Sequence, residues 1–228
     1  MLTNGKKSMK NNRTIAKIAE IFFASGIPIL ALADNSRDKT EFFSSLPILL
    51  IIILIGGWHV KTFNDNCEDK KKFSSGVFIP LIFIPIVVYT RPMSALILLL
   101  IFINWDIYSM RGKNNFIISM MANFLGGFTH FMLGASCAER GFLHFFASKA
   151  LFFAFAMLCG SMHHDAYHAE EDKQKCSITG AVRFGAAYWW KLAVFPMIFS
   201  IFFLVQTEQH FYKPFIILGL LPYFIGYI

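Results

Sequence analysis

The sequence predicts an all-α fold, a polytopic bundle of transmembrane helices. Its composition is the first reason, because 56% of the residues are hydrophobic and 15% are charged, whereas soluble domains carry about 25% charged residues. The second reason is that apolar stretches of about twenty residues, long enough to cross a bilayer as helices, recur along the chain between short polar links. We therefore expect an integral membrane protein without a separate soluble domain.

Eight apolar stretches are predicted to span the membrane, each bounded by a polar link. Arg91, Arg140 and Lys213 mark three of the shorter links, and charged clusters mark the longer ones. Proline inside several stretches is compatible with this prediction, because neighbouring helices can satisfy the carbonyl groups that proline frees. The predicted spans are Ile15–Ala33, Phe42–Phe63, Phe73–Thr90, Pro92–Ile107, Phe116–Cys137, Phe142–Met162, Ala181–Val205 and Phe211–Ile228.

The basic residues predict how these spans are oriented. The polar arm at residues 1–14 is basic and does not resemble a cleaved signal peptide, so we expect it to remain in the cytoplasm. Residues 15–228 then form a single transmembrane domain. The links that carry Lys70–Lys72, Arg111 and Lys173 are cytoplasmic in the same arrangement. The net charge of +7 is thus expected to reflect topology and contact with anionic lipids, and not nucleic-acid binding.

A first acidic segment follows the second predicted span. If the helix of that span continues beyond Phe63, then Asp65, Glu68 and Asp69 fall at positions i, i+3 and i+4, on one face. Carboxylates are costly near a bilayer and often mark a functional site there. The segment reads Asn64-Asp65-Asn66-Cys67-Glu68-Asp69-Lys70-Lys71-Lys72.

A second acidic segment, His164–Asp172, follows the sixth predicted span on the same side. Asp165, His168 and Asp172 fall at i, i+3 and i+7 of a continued helix. Mg²⁺ prefers oxygen ligands and typically takes one or two carboxylates together with phosphate oxygens of a substrate. Two acidic helix ends that face each other therefore predict a site for Mg²⁺ and a diphosphate. The alternative is that both segments are solvated loops.

A third polar element, Tyr108–Lys113, links the fourth and fifth spans on the predicted cytoplasmic side. Arg111 and Lys113 can neutralise a leaving diphosphate, and Tyr108 can orient it, as cations and hydrogen-bond donors do at phosphoryl groups. The alternative is an ordinary positively charged loop. The position beside the two acidic segments supports the functional interpretation and leaves both interpretations open.

Two rival hypotheses start from other residues. The histidines and acids of residues 163–172 can bind a transition metal, as in membrane oxidases, although such enzymes use several histidine clusters. An intramembrane acid such as Asp106 or Glu20 is typical of a transporter that carries protons or ions. The remaining histidines are isolated in the sequence and are expected to be packing or interface residues, namely His59, His130, His144 and His210.

The acidic and basic elements together resemble the motifs of the UbiA-type intramembrane prenyltransferases, over about residues 15 to 225. The first motif of that family has the form N-D-x-x-D-x-x-x-D at the end of the second helix. Here it reads Asn64-Asp65-x-x-Glu68-x-x-x-Lys72. The middle acid is a glutamate, the third acid is replaced by lysine, and Asp69 is a candidate substitute.

The second family motif, D-x-x-D-x-x-x-D, reads Asp165-x-x-His168-x-x-x-Asp172 here. It is followed by Val182–Gly185, with the sequence V-R-F-G, where the family has R-L-G. The element Tyr108–Lys113 resembles the basic, tyrosine-containing loop of the family. The order and spacing of the three elements make the combination more specific than any one of them.

The resemblance implies a helical bundle around a central cavity that opens to the cytoplasm and to lipid. It implies Mg²⁺ as cofactor, held by Asp65, Glu68, Asp69, Asp165 and Asp172. The catalytic residues that it implies are Asp65, Asp69, Asp165, Asp172 and Tyr108. The residues that it implies for binding the diphosphate are Asn64, Arg111 and Lys113.

The predicted function is the Mg²⁺-dependent transfer of an isoprenoid chain from a polyprenyl diphosphate to an aromatic or other small lipid-soluble acceptor. We expect the acidic motifs on the cytoplasmic side of a bacterial or archaeal plasma membrane. Lys72 and His168 depart from the family pattern, since a neutral imidazole is a poorer Mg²⁺ ligand than a carboxylate. The family usually has nine spans, against eight predicted here. The alternatives are a non-enzymatic transporter or assembly factor, a terpene-cyclising relative, and the membrane oxidase.

Overall fold

The computed structural model describes residues 26–68, 75–138 and 147–206 of the chain. Within these residues the regular structure is helical, with no β-strand, as the sequence predicts. Two short 3₁₀ turns, Ser75–Val77 and Gly112–Asn114, accompany the α-helices. The α-helices are α1 (residues 26–35), α2 (Lys39–Glu68), α3 (Ile79–Thr90), α4 (Pro92–Arg111), α5 (Phe116–Cys137), α6 (Ala147–Tyr167), α7 (Ala169–Gln174), α8 (Gly180–Phe184), α9 (Ala186–Leu192) and α10 (Val194–Val205).

Four helical stretches of the described residues are long and apolar enough to cross a membrane. This finding supports an integral membrane protein built of helices. The predicted number of eight spans stays a prediction, because the first span is described only from residue 26 and the eighth lies outside the described residues. The four stretches are Lys39–Cys67, Pro92–Arg111, Phe116–Cys137 and Ala186–Val205.

The third predicted span contains a shorter helix than expected. α3 has 12 residues, a length of about 18 Å, against roughly 30 Å for the hydrocarbon core of a bilayer. The helix begins at Ile79, and Phe73, the predicted start, lies outside the described residues. Pro80 suits the first turn of a helix, because the N–H group that proline lacks would have no intrahelical partner there.

The seventh predicted span is divided near its beginning. Gly185 separates α8 from α9 with a φ of 93°, in the left-handed region that glycine adopts at little cost. The helical stretch of membrane length therefore begins at Ala186, and not at the predicted Ala181. Sequence reasoning placed the boundary wrongly because the apolar pattern continues across Gly185.

Contacts near both ends of α2 and α4 show that these two helices run parallel. Arg91, directly before α4, donates a hydrogen bond of 3.5 Å to Ser45 of α2. Fourteen residues further along α2 and fifteen further along α4, a ring nitrogen of His59 lies 3.2 Å from the carboxylate of Asp106. The short helix α3 makes the return between them, as a parallel pair requires.

The next helices alternate in direction. Ser94 of α4 shares a hydrogen bond of 2.9 Å with Ser136 at the end of α5, so α4 and α5 are antiparallel. α5 and α6 are also antiparallel, because the Phe124 ring lies 5.0 Å from Phe155, whereas Phe131, later on α5, stacks 5.4 Å from an earlier residue of α6, Phe153. The C-terminal ends of α2, α4 and α6 consequently lie toward the same end of the bundle.

Large apolar side chains remain exposed along the outside of these helices. They are concentrated on α3, α4 and α10, where a soluble protein would place polar residues. This pattern is what a lipid environment favours, since lipid tails do not penalise apolar surface. Examples from α3 and α10 are Ile82, Ile86, Tyr89, Ile198 and Phe202.

Candidate functional site

The first acidic segment continues α2 beyond the predicted span. The helix extends to Glu68, so Asp65 lies on a regular helical turn, as the sequence predicts, and both Asn64 and Asp65 are half-buried. The amide nitrogen of Asn66 is buried without a hydrogen-bond partner among the described residues. Such an unsatisfied donor is costly and suits a site that accepts an oxygen-rich ligand or water. The side chain of Glu68, and Asp69 as a whole, lie outside what the structure describes.

The second acidic segment continues α6 into α7 with one change of backbone conformation. His168 lies between the two helices, with φ of −95° and ψ of 10°. The backbone N–H of His168 nevertheless bonds to His164 at 3.0 Å, and that of Asp172 bonds to His168 at 2.9 Å. The helical path is therefore nearly continuous, and Asp165 and Asp172 remain close enough to influence one another electrostatically.

Asp165 is the most strongly perturbed acid of this region. Burial is the main cause, and with the negative charge of Asp172 it raises the pKa of Asp165 from 3.8 to about 7, while His168 acts in the opposite direction. Desolvation and like charge both disfavour the ionised form of a carboxyl group. Two carboxylates in this arrangement favour a cation between or beside them, because a cation removes the repulsion.

Glu171 takes no part in the Asp165–Asp172 pair. Its carboxylate is exposed and binds the side chains of Lys175 at 2.6 Å and His168 at 3.1 Å. The hydrogen bonds from Lys175 and His168 lower the pKa of Glu171. Glu171 thus orients the His168 ring at the surface of the segment.

The tyrosine-containing loop lies between α4 and α5. The ring of Tyr108 is half-buried, packs against Gly112 and meets the Trp105 ring edge to face at 5.4 Å. Asn115 caps the start of α5 by accepting hydrogen bonds from two backbone N–H groups. Arg111 is exposed at the end of α4, and the side chain of Lys113 lies outside the described residues.

An aromatic platform supports the start of α5 at the same end of the bundle. The guanidinium of Arg183 on α8 lies 5.3 Å from the centre of the Phe116 ring and 5.6 Å from that of Phe184. Trp189 stacks with Phe184 at 5.8 Å. Arg183 is the arginine of the V-R-F-G sequence, and its side chain is exposed. The helix that carries it, α8, contacts both α6 and α7.

Sequence reasoning missed a polar pair between α2 and α4. It expected His59 to be a packing or interface residue, which agrees with the buried position of the ring between α2 and α4, but it did not identify the partner: Nε2 of His59 lies 3.2 Å from both carboxylate oxygens of Asp106. A signal was present in the sequence. His59 lies six residues before Asp65, and Asp106 lies five residues before Arg111. In parallel helices the two residues therefore lie at a similar distance from the polar segments that follow their spans.

The two helices that end with the acidic segments, α2 and α6, are not packed directly against each other over the parts that the structure describes. Within the described residues, α4 and α5 lie between α2 and α6, which share no extensive packing of their own. In the same part of the chain, no three histidine, cysteine, aspartate or glutamate side chains are grouped closely enough to hold a metal ion. The described donors that the sequence predicts, Asp65, Asp165 and Asp172, carry hard oxygen atoms that suit Mg²⁺ in combination with a phosphate ligand.

Comparison with known proteins adds no family assignment. No protein-family model, no curated protein and no solved structure matches the chain. The resemblance to the UbiA-type prenyltransferases therefore rests on the sequence motifs and stays a prediction.

Proposed function

We propose that the protein is a Mg²⁺-dependent intramembrane prenyltransferase, which transfers an isoprenoid chain from a polyprenyl diphosphate to a small lipid-soluble acceptor. The observation that carries the proposal is the coupled carboxylate pair Asp165 and Asp172, at the end of the bundle where α2 ends with Asp65. Repulsion within the pair favours a bound cation, and the surrounding helices are apolar enough to hold a lipid substrate.

The chain supplies groups for each part of such a substrate. Asp65 and the Asp165–Asp172 pair would hold the metal, together with Glu68 and Asp69 of the first segment. When bound, Mg²⁺ supplies positive charge that neutralises the diphosphate and favours its departure.

The Tyr108 loop serves the diphosphate itself. Arg111, with Lys113 and Asn64, would bind its oxygens. Tyr108, held by Trp105 and Gly112, would orient the diphosphate by a hydrogen bond.

The test is pyrophosphate release by the purified protein, in lipid, from prenyl diphosphates of several chain lengths. We expect release in the presence of Mg²⁺ and an acceptor extract, and none in excess chelator. Asp65→Asn and Asp172→Asn are each expected to lower turnover by at least about a hundredfold, as loss of a charge-stabilising group typically does. Glu170→Gln is the matched control, because Glu170 is an exposed acid of the same segment.

Full turnover in both aspartate variants would exclude the metal site. An active control with inactive Asp65→Asn and Asp172→Asn would support it, provided that all variants remain in the membrane in equal amount. Mass spectrometry of lipids that copurify with the protein identifies the length of the donor chain.

A second candidate function is proton- or ion-coupled transport, and one observation favours it. His59 is buried and its partner Asp106 is half-buried between two helices of membrane length, a placement that is typical of proton carriers. A transporter would move its substrate into sealed vesicles without cleaving a diphosphate, and Asp106→Asn would stop that movement. Pyrophosphate release without vesicle uptake would exclude this alternative.

A further inference from the structure

His59 is the point where three separate elements meet. Its ring is buried and stacks on Phe102 of α4 with the ring centres 4.1 Å apart. Nε2 lies 3.2 Å from the carboxylate of Asp106, also on α4, and Nδ1 lies 3.3 Å from the carbonyl oxygen of Val77 in the 3₁₀ turn. One side chain of α2 therefore contacts both α4 and the chain that returns after the first acidic segment.

The neighbouring residue strengthens the same connection. The indole Nε1 of Trp58 donates a hydrogen bond of 3.2 Å to the carbonyl oxygen of Gly76. Two consecutive residues of α2 thus bind two consecutive carbonyl groups of the 3₁₀ turn. Backbone carbonyls that are bound in this way fix the turn against α2 at a defined register.

Oxygen atoms lie beside both nitrogens of the His59 ring. A neutral imidazole has only one N–H group, so the tautomer decides which of the two contacts receives it. Polar atoms are costly to bury without partners, and partners on both sides of the ring limit that cost.

His59 and Asp106 lie close to the candidate site along their helices. His59 lies six residues before Asp65 on α2, a rise of about 9 Å. Asp106 lies two residues before Tyr108 and five before Arg111 on α4. The His59–Asp106 contact therefore lies less than two helical turns from Asp65, which the proposed function assigns to the metal, and from Tyr108 and Arg111, which it assigns to the diphosphate.

We propose that His59 is a positioning residue, which holds the last turns of α2, the turn at Gly76 and Val77, and the end of α4 in one rigid unit. The unit sets Asp65 relative to Tyr108 and Arg111. This role rests on the proposed function for its catalytic consequence. The rigid unit itself does not depend on that function.

Three substitutions at His59 separate the contacts. His59→Phe keeps a ring that can stack on Phe102 and removes both polar contacts. His59→Gln keeps a donor near the position of Nε2, toward Asp106, and His59→Asn keeps one near Nδ1, toward Val77. Ser44→Ala is the control, because the Ser44 hydroxyl bonds only within α2 at the other end of the helix, to the Glu41 carbonyl.

Amide hydrogen exchange of the purified protein in lipid tests the rigid unit directly. In His59→Phe we expect exchange about tenfold faster in peptides from both Asn64–Glu68 and Tyr108–Gly112, since loss of a hydrogen bond to a charged group has about that effect. His59→Gln is expected to restore slow exchange at Tyr108–Gly112 but not at Gly76–Val77. Unchanged exchange in both peptides of His59→Phe would overturn the proposal.

Kinetics test the catalytic consequence. We expect His59→Phe to raise the Mg²⁺ concentration for half-maximal pyrophosphate release by about tenfold, with His59→Gln closer to wild type. If the wild-type protein releases no pyrophosphate, the proposed function fails while the exchange data still test the rigid unit. If exchange changes but the Mg²⁺ dependence of an active enzyme does not, the positioning role is wrong.

Discussion

Asp165 is the described acid whose pKa is raised by its surroundings. It lies at the end of α6, beyond the predicted sixth span, half-buried and close to Asp172. Burial removes water from the carboxylate, and the second acid adds repulsion, so the protonated form is favoured in the folded protein. The ionisation of Asp165 therefore lowers the stability of the folded protein only above the ordinary pKa of an aspartate. The loss of stability reaches its full size above the raised pKa of Asp165.

The pH dependence of stability follows from that shift. Without divalent cations, the folded protein loses stability as pH rises from about 4, the pKa of an unfolded aspartate, to about 7, the pKa of folded Asp165. Asp165→Asn is uncharged throughout and avoids the loss. We expect it to be more stable than wild type by about 2–4 kcal/mol near pH 8 and no more stable near pH 4.

Thermal unfolding of the purified protein in detergent, with chelator present, measures this difference. Glu170→Gln is the control and should follow the wild type at both pH values. Added Mg²⁺ is expected to stabilise the wild type more than Asp165→Asn, because only the wild type retains the charged ligand. A difference between Asp165→Asn and wild type that is independent of pH would contradict the explanation.

At the level of elements, α5 is the helix on which the central packing depends. Gly127 brings its backbone against the backbone of Phe153 and Ala154 on α6, and Gly134 does the same against Pro28 of α1. Small residues allow such close contact between helices where lipid provides no hydrophobic driving force. The predicted bounds of this helix, Phe116–Cys137, are confirmed.

Gly127→Ala is therefore expected to separate α5 from α6. The added Cβ would collide with the Phe153 carbonyl oxygen and lie 2.9 Å from the Cα atom of Ala154, and backbone atoms cannot rotate away. We expect a loss of about 1–3 kcal/mol in thermal or denaturant unfolding. Gly56→Ala is the control, since its Cβ would meet side-chain atoms and no backbone, namely the end of Leu98 at 3.2 Å and the Phe102 ring at 4.0 Å. Equal stability of the two variants would contradict this packing.

At the level of the whole molecule, a buried ion pair joins segments 115 residues apart. Lys149 of α6 bonds at 2.5 Å to Asp34 at the end of α1, and both side chains are almost fully buried. This contact lies at the end of the bundle opposite to the candidate site. It connects the first described helix to α6, so it constrains the arrangement of α1, α5 and α6.

Removing one partner of this pair is expected to be costly. Lys149→Met leaves the Asp34 carboxylate buried, and the loss of stability should be about 3–5 kcal/mol. The double variant Asp34→Asn with Lys149→Met removes both charges and should regain part of that loss. Unfolding in detergent measures both effects, and a double variant less stable than Lys149→Met would contradict the explanation.

Local patterns predicted much of the helical structure. The helical continuation of α2 past Phe63 follows from residue spacing alone and is confirmed. The same spacing brings Asp165 and Asp172 close enough to influence one another electrostatically. The break at Gly185 was not predicted, because a glycine inside an apolar run does not reveal its φ angle. The pairing of His59 with Asp106 was not predicted either, although the depths of the two residues match.

The sequence by itself determined that this is a helical membrane protein, where its main helices lie, and which helix ends carry acids and bases. These properties depend on the length of apolar runs and on spacing within one helix, which are local. Only the tertiary structure decided that His59 meets Asp106 and that Asp34 meets Lys149, because contacts 47 and 115 residues apart depend on how helices pack side by side. Packing also placed α4 and α5 between α2 and α6, because the side-by-side order of helices depends on contacts between distant parts of the chain and not on local patterns.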